Sequence, residues 1–441
     1  MGARTMKTTR RDFIKSTTAA VAGFHILPSG LLAKAPNSRL CTAHIGLGSR
    51  GNGDLSRVAA HDRTEVMGLC DVDSKQHNRL KKAYPNARFY QDYRVMLSEL
   101  GDRVDAVVVS TPDHTHYHAT MAAMNRGKHV YTQKPLTHTI AEARSLKETA
   151  QAKGLVTQMG IQNQSSLFYR VARDHIQQGV IGKVSKVYVW SFKNWGYDGA
   201  PYQGSDPIPA GLNWDLWLGS APKRAYVEGK YHPNHWRRFI DFGCGTLGDM
   251  GVHIFDTPLR SLELKPPLWV SNACRQPNGY GFPEANKLSY SFEGTPYTTE
   301  TLEWTWYDGK FGPPQGHPDF ELPNGHRLPS QGALLVGEKG RMVLPHCSAP
   351  MFYPMDIHQT LKKHTHKEIS HYNQWVDGIF DPSERPTANF DYASHLTEML
   401  LLGVVAGRFP RQRLTWDAKA MKVTNIDAAN QYVSHAYRTD Y

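Results

Sequence analysis

A glycine-rich turn between two regular segments constrains the fold of this chain more than any other feature. Residues 39–45 favour a short strand, the turn GLGSRG follows at residues 46–51, and residues 54–61 favour a helix. A second strand is predicted over residues 65–70 and ends at Asp71, twenty residues beyond the turn. This order of strand, glycine turn, helix, strand and acidic residue is typical of a dinucleotide-binding βαβ unit. The chain therefore has to build a parallel sheet around this turn.

The residues of the turn have separate roles in binding a dinucleotide. Gly46 permits the tight turn, Gly48 lets the backbone approach a pyrophosphate, and Gly51 lets the helix pack closely on the strand. The amino terminus of the helix, at Ser49 and Arg50, then faces the phosphates, where the helix dipole favours negative charge. The alternative is a plain glycine-rich turn without a ligand.

The acidic residue after the second strand selects between two cofactors. Asp71 is placed to accept hydrogen bonds from the adenosine ribose, and its charge would repel a 2'-phosphate. The sequence therefore favours NAD over NADP. NADP stays possible because Arg50 or Lys75 could hold the extra phosphate.

Strands and helices continue to alternate after this unit. The segment at residues 105–110 is almost entirely apolar, as expected for a strand that is buried on both faces. Its neighbours predict a doubly wound α/β sheet, whose ligands bind beyond the carboxyl ends of the strands. The further predicted elements are a strand at residues 128–132 and helices at residues 74–83, 93–100, 116–126 and 140–152.

The length of the chain calls for a second folded unit. A chain of 441 residues is too long for one hydrophobic core. We predict a nucleotide-binding domain over residues 36–160 and a second α/β domain over residues 161–441. Strands are predicted in the latter at residues 184–190, 287–292, 299–307 and 341–344, and a helix at residues 390–407.

The first 35 residues have the layout of a signal peptide. Arg10 and Arg11 precede a mildly apolar stretch, and the small residues Ala33 and Ala35 flank a cleavage pattern. The paired arginines resemble a twin-arginine signal, so we predict export by that machinery to a bacterial periplasm. A disordered basic tail is the alternative.

The remaining charge and polarity exclude several partners. About half of the formal net charge of +11 lies in the predicted signal, and no dense basic run follows it, so nucleic-acid binding is not expected. No apolar run reaches the ~20 residues that span a bilayer. No cysteine lies in or just after the apolar stretch of the signal to carry a lipid, so no stable membrane anchor is expected.

The cysteines and histidines do not predict a metal site. An odd set of five cysteines without regular spacing favours buried free thiols over a disulfide framework. The histidine clusters lack a cysteine or carboxylate at a recognised ligand spacing. These clusters are His114/His116/His118, His232/His235 and His364/His366/His371.

Several sequence motifs follow one another in a fixed order. They are Gly46-Leu47-Gly48, Thr111-Pro112-Asp113 with His116, Gln133-Lys134-Pro135, and the G-x-x-x-D-x-G-x-H stretch from Gly245 to His253. These motifs resemble those of the glucose-fructose oxidoreductase / inositol dehydrogenase / rhizopine-catabolism family (Gfo/Idh/MocA), and residues 213–219 and 414–438 resemble its secreted bacterial branch. The resemblance implies a Rossmann domain and a carboxyl-terminal α/β domain with a large, mostly antiparallel sheet that often forms dimers or tetramers. It also implies a nicotinamide cofactor and a sugar or cyclitol substrate.

The resemblance also implies which residues surround the reacting hydroxyl. By position these are Lys134, Asp249 and His253. His253 is the first choice for the general base because its ordinary pKa is nearest neutrality, and Lys134 would stabilise developing negative charge. The two roles could be exchanged. The candidate cofactor residues beyond the glycine turn and Asp71 are Thr111, Pro112, His116, Gln133 and Lys134.

This chain departs from the family motif at one position. Gln133 stands where the motif usually has glutamate. An amide can still hydrogen-bond a ribose, but a negative charge beside Lys134 is lost.

Aromatic residues in the loops of the second half are candidate platforms for a sugar ring. Most aromatics of this half are expected to be core. The better candidates are Trp195, Tyr197, Tyr231 and Trp236.

The compartment constrains the reaction. An exported enzyme has little free NAD around it, so it must keep its cofactor and regenerate it in the site. The compartment thus predicts tightly bound NAD, and the family resemblance implies that the enzyme is a sugar oxidoreductase and a homo-oligomer. One alternative is a redox-neutral cleavage of a glycoside through a keto-sugar; another is a non-catalytic sugar sensor that holds the cofactor.

Overall fold

The computed structural model of the chain describes residues 39–361, 363–438 and 440. The predicted twin-arginine signal, residues 1–35, lies outside the described residues. In the part of the chain that is described, no helix is long and apolar enough to cross a bilayer.

The first half forms a six-stranded parallel sheet with the strand order β3-β2-β1-β4-β5-β6. The order reverses between β1 and β4, and such a switch point opens a crevice at the carboxyl ends of the strands. The predicted doubly wound sheet is therefore confirmed. The strands are β1 Leu40–Ile45, β2 Thr64–Cys70, β3 Arg88–Tyr90, β4 Ala106–Val109, β5 His129–Thr132 and β6 Thr157–Met159.

Local capping explains where the helices of this half begin. Asp73 and Asp92 each accept a hydrogen bond from a backbone N–H of the first helical turn. Thr139 and Glu142 form a reciprocal capping box at the start of another helix. The helices are α1 Ser49–Ala59, α2 Ser74–Leu80, α3 Tyr93–Leu100, α4 Asp113–Asn125 and α5 Ile140–Lys153.

The second half is built on a nine-stranded sheet with the order β13-β12-β11-β7-β10-β9-β8-β14-β15. Strands β7 and β10 are parallel, and the other described pairs are antiparallel, which confirms the predicted large, mostly antiparallel sheet. The strands are β7 Val184–Ser191, β8 Trp269–Ala273, β9 Asn286–Glu293, β10 Thr298–Asp308, β11 Gln331–Gly337, β12 Gly340–Pro345, β13 Met351–Tyr353, β14 Arg413–Asp417 and β15 Lys422–Val423.

The two faces of this large sheet are covered differently. Helices pack on one face, where Phe255 lies 4.9 Å from the ring of Trp304. On the other face, Phe320 of the loop before β11 packs on Tyr188 at 4.6 Å between ring centroids. The helices of this half are α6 Leu167–Gln177, α7 Trp214–Leu218, α8 Val252–Ser261, α9 Ile357–Thr360, α10 His371–Phe380 and α11 Phe390–Ala406.

The chain returns to the first half near its end. Tyr372 and Trp375 of α10 pack on Tyr131 of β5, with ring centroids 5.6 and 5.7 Å apart. Farther on, the Tyr437 hydroxyl donates to Glu142 of α5. The core of the nucleotide-binding half is thus completed by residues far beyond position 160, and the division at 160/161 remains a prediction.

All five cysteines are free, as expected. Cys41 pairs with Glu65 and Cys70 with Ile45, so these two thiols lie at opposite ends of β1 and β2. The expectation that all thiols are buried is wrong for Cys347, which is exposed because it lies in the turn after β12, and holds only in part for Cys41, which is half-buried.

Candidate active site

A cavity of about 680 Å³ lies at the carboxyl edge of the parallel sheet. One end is lined by the glycine turn and Asp71, and the other by residues from the large sheet. The middle is lined by the segment after β4, by Lys134, and by the segment that leads into α8. The candidate cofactor and catalytic residues therefore meet in one continuous space.

The glycines of the turn are required for two different reasons. Gly46 has φ +86°, and a Cβ there would lie 2.6 Å from the Ser110 carbonyl oxygen. A Cβ on Gly51 would lie 2.0 Å from the Gly46 carbonyl oxygen. A Cβ on Gly48, in contrast, would meet nothing within 4 Å, so this glycine leaves open space in the cavity wall. That space, at the start of α1 with Ser49 and Arg50 beside it, fits a pyrophosphate.

Asp71 is fixed against the turn. Its Oδ2 accepts from the Leu47 N–H at 2.7 Å, and its Oδ1 accepts from the Asp73 N–H at 2.9 Å. Burial raises the pKa of Asp71 to about 6, although these hydrogen bonds oppose the shift. The carboxylate lines the cavity one strand away from the turn, where the ribose of a dinucleotide would lie.

The segment after β4 presents an unsatisfied polar atom to the cavity. Thr111 and Pro112 line the cavity, and the buried Thr111 Oγ1 has no hydrogen-bond partner among the described residues. His116 lies behind them, with Nδ1 2.8 Å from the Pro135 carbonyl oxygen and Nε2 2.9 Å from the Thr111 carbonyl oxygen. Because burial lowers the His116 pKa to about 4, the ring is neutral and donates to one of the two carbonyls. The structure thus places His116 as a support for two cavity segments and does not place it on the cavity wall.

Gln133 faces a buried carboxylate. Its Nε2 donates to Asp54 Oδ2 at 2.8 Å, and Asp54 also accepts from Ser110 Oγ and the Tyr372 hydroxyl, each at 2.8 Å. Burial raises the pKa of Asp54. A glutamate at position 133 would set a second carboxylate against Asp54, whereas an amide satisfies it. Gln133, which departs from the family motif, is therefore the residue type that suits Asp54, its hydrogen-bond partner in this chain.

Lys134 and Asp249 form a buried ion pair in the centre of the cavity. Lys134 Nζ donates to Asp249 Oδ1 at 2.8 Å and to the Asp249 carbonyl oxygen at 2.7 Å. Asp249 Oδ2 accepts from Trp195 Nε1 at 2.7 Å, and Arg237 Nε donates to Oδ1 at 3.2 Å. Burial opposes ionisation of Asp249, but Lys134 and Arg237 outweigh it and hold its pKa well below the usual range. The Lys134 side chain is therefore fixed with its ammonium group at the cavity.

The helix that carries Asp249 and His253 is wider than expected at its start. Residues Leu247–Gly251 form a π-helical turn before α8, where the sequence predicted an ordinary α-helical pair. Both side chains nevertheless line the cavity, and π-helical turns are common at functional sites. His253 is half-buried, and desolvation of its ring together with the charge of Lys134 lowers its pKa well below the usual value. Its Nδ1 has no partner within the described part of the chain, so a neutral imidazole lies free in the site.

The cavity-lining residues that the sequence reasoning did not select as site residues include Asp113, Lys193, Arg237 and His346. Asp113 is the most unusual, because burial raises its pKa to about 7 although Arg237 and Lys134 lower it. The motif that supplied Thr111 and Pro112 contains Asp113 and could have indicated it. Lys193 and His346 lie in loops and Arg237 lies in a short 3₁₀ helix, and only the tertiary structure shows that these segments approach the cavity.

Replacing Asp113 by asparagine is expected to remove a stability penalty that grows with pH. In the unfolded chain the carboxyl ionises near pH 4, whereas the folded group holds its proton until about pH 7. Between pH 4 and pH 7 this group therefore lowers the free energy of unfolding progressively. The full loss is about 2–4 kcal/mol. Urea unfolding of Asp113→Asn at pH 5 and pH 8 should show a clearly larger gain in the free energy of unfolding at pH 8 than at pH 5.

The exposed Asp62 supplies the control for that experiment, since Asp62→Asn changes a carboxyl that is 90% exposed. Its unfolding midpoints should match those of the parent protein at both pH values. Equal pH slopes for Asp113→Asn and the parent would contradict the raised pKa.

The four aromatic candidates do not share one position. Trp236 lines the cavity and Trp195 bonds Asp249, so these two lie at the site. Tyr197 and Tyr231 pack in an aromatic cluster with Phe239, at 5.4 and 5.1 Å between ring centroids. Tyr231 is 3% exposed. Because both tyrosines pack in this cluster, neither of them is among the residues that line the cavity.

The described residues contain no group of three or more His, Cys, Asp or Glu side chains that could hold a metal ion.

Two family models match the chain. The model for an oxidoreductase family with an NAD-binding Rossmann fold matches residues 41–161, and the model for the carboxyl-terminal α/β domain of that oxidoreductase family matches residues 170–266. Both models describe the Gfo/Idh/MocA family.

Curated relatives match parts of the chain. A glycosyl hydrolase family 109 protein of Solibacter usitatus is 33% identical over 162 residues, which is 33% of this chain and 37% of that protein. A D-glucoside 3-dehydrogenase of Escherichia coli is 30% identical over 149 residues, 34% of this chain and 42% of that protein. These matches thus span less than half of the relatives' own length.

Solved structures share the fold. The aldose-aldose oxidoreductase of Caulobacter crescentus has a TM-score of 0.57 at 15% identity, over 86% of this chain and 100% of that one. An inositol dehydrogenase homolog from Azotobacter vinelandii, complexed with NADH and myo-inositol, has a TM-score of 0.57 at 15% identity, over 86% and 98% of the two chains. At this identity the likeness shows the architecture alone.

Proposed function

The chain belongs to the Gfo/Idh/MocA oxidoreductase family, and on this basis we propose that it transfers a hydride between a tightly bound NAD and a hydroxyl-bearing carbon of a sugar. One observation carries the proposal: the cavity that contains the Gly48 turn and Asp71 also contains the Lys134–Asp249 pair and His253. Cofactor groups and acid–base groups therefore line one space. That space fits a dinucleotide and a sugar placed end to end.

The glycine turn and Asp71 would hold the NAD, which would supply the acceptor for the hydride of the carbinol carbon, so that the alcohol becomes a ketone as its hydroxyl proton passes to a base of the protein. Lys134 donates a hydrogen bond to the sugar oxygen and stabilises the negative charge that develops there. Asp249 fixes the ammonium group through the 2.8 Å contact at Oδ1. His253 is uncharged because of burial, and an imidazole nitrogen of this residue accepts the hydroxyl proton.

Asp71 supports NAD over NADP as the cofactor. The carboxylate is held by two backbone N–H groups at the turn, so it is not free to move away from an added phosphate. Its charge would oppose a 2'-phosphate. Arg50 nearby leaves NADP as the second choice.

Export of the protein through the twin-arginine route, with its cofactor already bound, remains part of the proposal, because the predicted signal precedes the described residues.

A second candidate function follows from the glycosyl hydrolase family 109 relative, which is 33% identical over the matched segment. In that case the hydride would return to the sugar after a glycosidic bond is eliminated. The same residues would serve both reactions.

The test is to purify the protein without added nucleotide and to titrate glycosides while recording absorbance at the NADH band. Retained dinucleotide and a lasting absorbance rise with one sugar would support the oxidoreductase. Release of the aglycone without a lasting rise would assign the redox-neutral cleavage. A purified protein that neither contains nor takes up dinucleotide would overturn both reactions.

A further inference from the structure

Positive charge is concentrated at the sugar end of the cavity. The carboxylate of Asp249 forms ion pairs with three cationic side chains, those of Lys134, Lys193 and Arg237. The second carboxyl at this end is Asp113, which is uncharged in part at neutral pH because burial raises its pKa to about 7. Three cations thus face one full and one partial negative charge.

Two of these cations have hydrogen-bond donors to spare. Lys193 Nζ is 3.6 Å from Asp249 Oδ2, beyond hydrogen-bond distance, and its side chain is 49% exposed. Arg237 uses Nε for Asp249 and Nη1 for the Asn234 carbonyl oxygen, and Nη2 makes no bond with a described residue. Lys134, in contrast, is engaged by Asp249 and is reserved for the reacting oxygen.

The position of Arg237 is set by its neighbours. Its guanidinium lies 4.2 Å from the centre of the Trp236 ring and 5.5 Å from that of Trp195. Cation–π contact of this kind fixes an arginine without neutralising it. The cofactor does not account for this charge, because the glycine turn, the amino terminus of α1 and Arg50 already supply the groups that would hold its phosphates.

We infer that the sugar oxidised here carries a carboxylate, as a hexuronic acid does, and that this group binds between Lys193 and Arg237. One carboxylate oxygen accepts from Lys193 Nζ and the other from Arg237 Nη2, while the sugar ring lies near Trp236. This inference rests on the proposed oxidation of a sugar. It adds a charge requirement that a neutral glycoside cannot meet.

The test compares methyl β-glucuronide with methyl β-glucoside, which differ in the group at C6 alone. The holoenzyme should use the glucuronide with a kcat/KM about tenfold or more above that of the glucoside, as hydrogen bonds between charged groups allow. In Lys193→Gln this preference should fall by about tenfold, since one of the two charged donors is gone. Added salt should lower the kcat/KM of the glucuronide more than that of the glucoside.

Lys186→Gln is the matched control. Lys186 lies on β7, the strand that leads to Lys193, but it pairs with Asp319 and does not line the cavity. The preference should be unchanged in this variant. Equal or faster use of the glucoside would overturn the inference while leaving the oxidoreductase in place. A higher kcat/KM for glucose 6-sulfate than for glucuronate would also overturn the inference that the site binds a carboxylate.

A binding measurement keeps the inference testable if neither glycoside is oxidised. Titration calorimetry with glucuronate and with glucose should show tighter binding of glucuronate, and Lys193→Gln should remove the difference. Equal affinities would overturn the carboxylate site. Absence of oxidation of every glycoside, together with tight glucuronate binding, would instead count against the proposed function.

Discussion

Lys134→Met is expected to lower kcat for sugar oxidation by about 10²–10³-fold, the range found when one preorganised donor to a developing oxyanion is removed. Methionine reaches as far as the lysine Cε but lacks the ammonium group, so it cannot donate to the substrate oxygen. The carboxylate of Asp249 keeps Arg237 as a partner in this variant, so the site should not collapse. Single-turnover absorbance of the dinucleotide-loaded enzyme measures the chemical step directly.

The control for Lys134→Met is Lys186→Met, which removes a lysine that is 37% exposed and paired with Asp319. Its kcat should equal that of the parent protein. NAD should bind Lys134→Met with nearly unchanged affinity, because the phosphate-binding turn is untouched. A kcat within threefold of the parent would show that Lys134 is not the group that stabilises the reacting oxygen.

The local part of the site could be predicted because local chemistry determines it. The strand, the glycine turn and Asp71 lie within one βαβ unit, where spacing fixes geometry. Gly46, with φ +86°, shows why the pattern is informative: few residues other than glycine adopt this conformation. Lys134 follows a strand directly, so its place at the carboxyl edge also follows from the sequence.

The remainder of the site depends on contacts between distant segments. Arg237 and Lys193 reach Asp249 from two loops, and no local pattern indicates where loops converge. Tyr372 completes the environment of Asp54 from 318 positions away. The role of Gln133 could therefore be understood once Asp54 and Tyr372 were seen together, because the sequence shows the substitution without its partner.

The aromatic residues that were predicted to stack on a sugar ring also show what the sequence alone cannot predict. Tyr231 and Trp236 are close in sequence and belong to the same buried apolar cluster, yet Trp236 also lines the cavity and Tyr231 does not. Hydrophobic burial and sugar stacking select the same residue types. Composition alone cannot separate these two uses of an aromatic ring.

Two single substitutions in the glycine turn are expected to separate folding from cofactor binding. Gly48→Val should fold normally, because its Cβ meets no atom within 4 Å and φ −73° suits any residue. The added methyl groups, however, would occupy the space for the pyrophosphate and lower NAD affinity by about 100-fold or more, or roughly 2.7 kcal/mol. Gly51→Ala should instead destabilise the fold by about 1–3 kcal/mol, since its Cβ would lie 2.0 Å from the Gly46 carbonyl oxygen.

Thermal unfolding of the cofactor-free forms and NAD titration measure the two effects independently. Gly48→Val should keep the parent melting temperature and lose the upward shift that NAD causes by binding to the native state. Gly51→Ala should melt earlier with or without NAD. If Gly48→Val kept parental affinity for NAD, the open space beside that residue could not be the pyrophosphate site, and the cofactor would have to enter the cavity in another orientation.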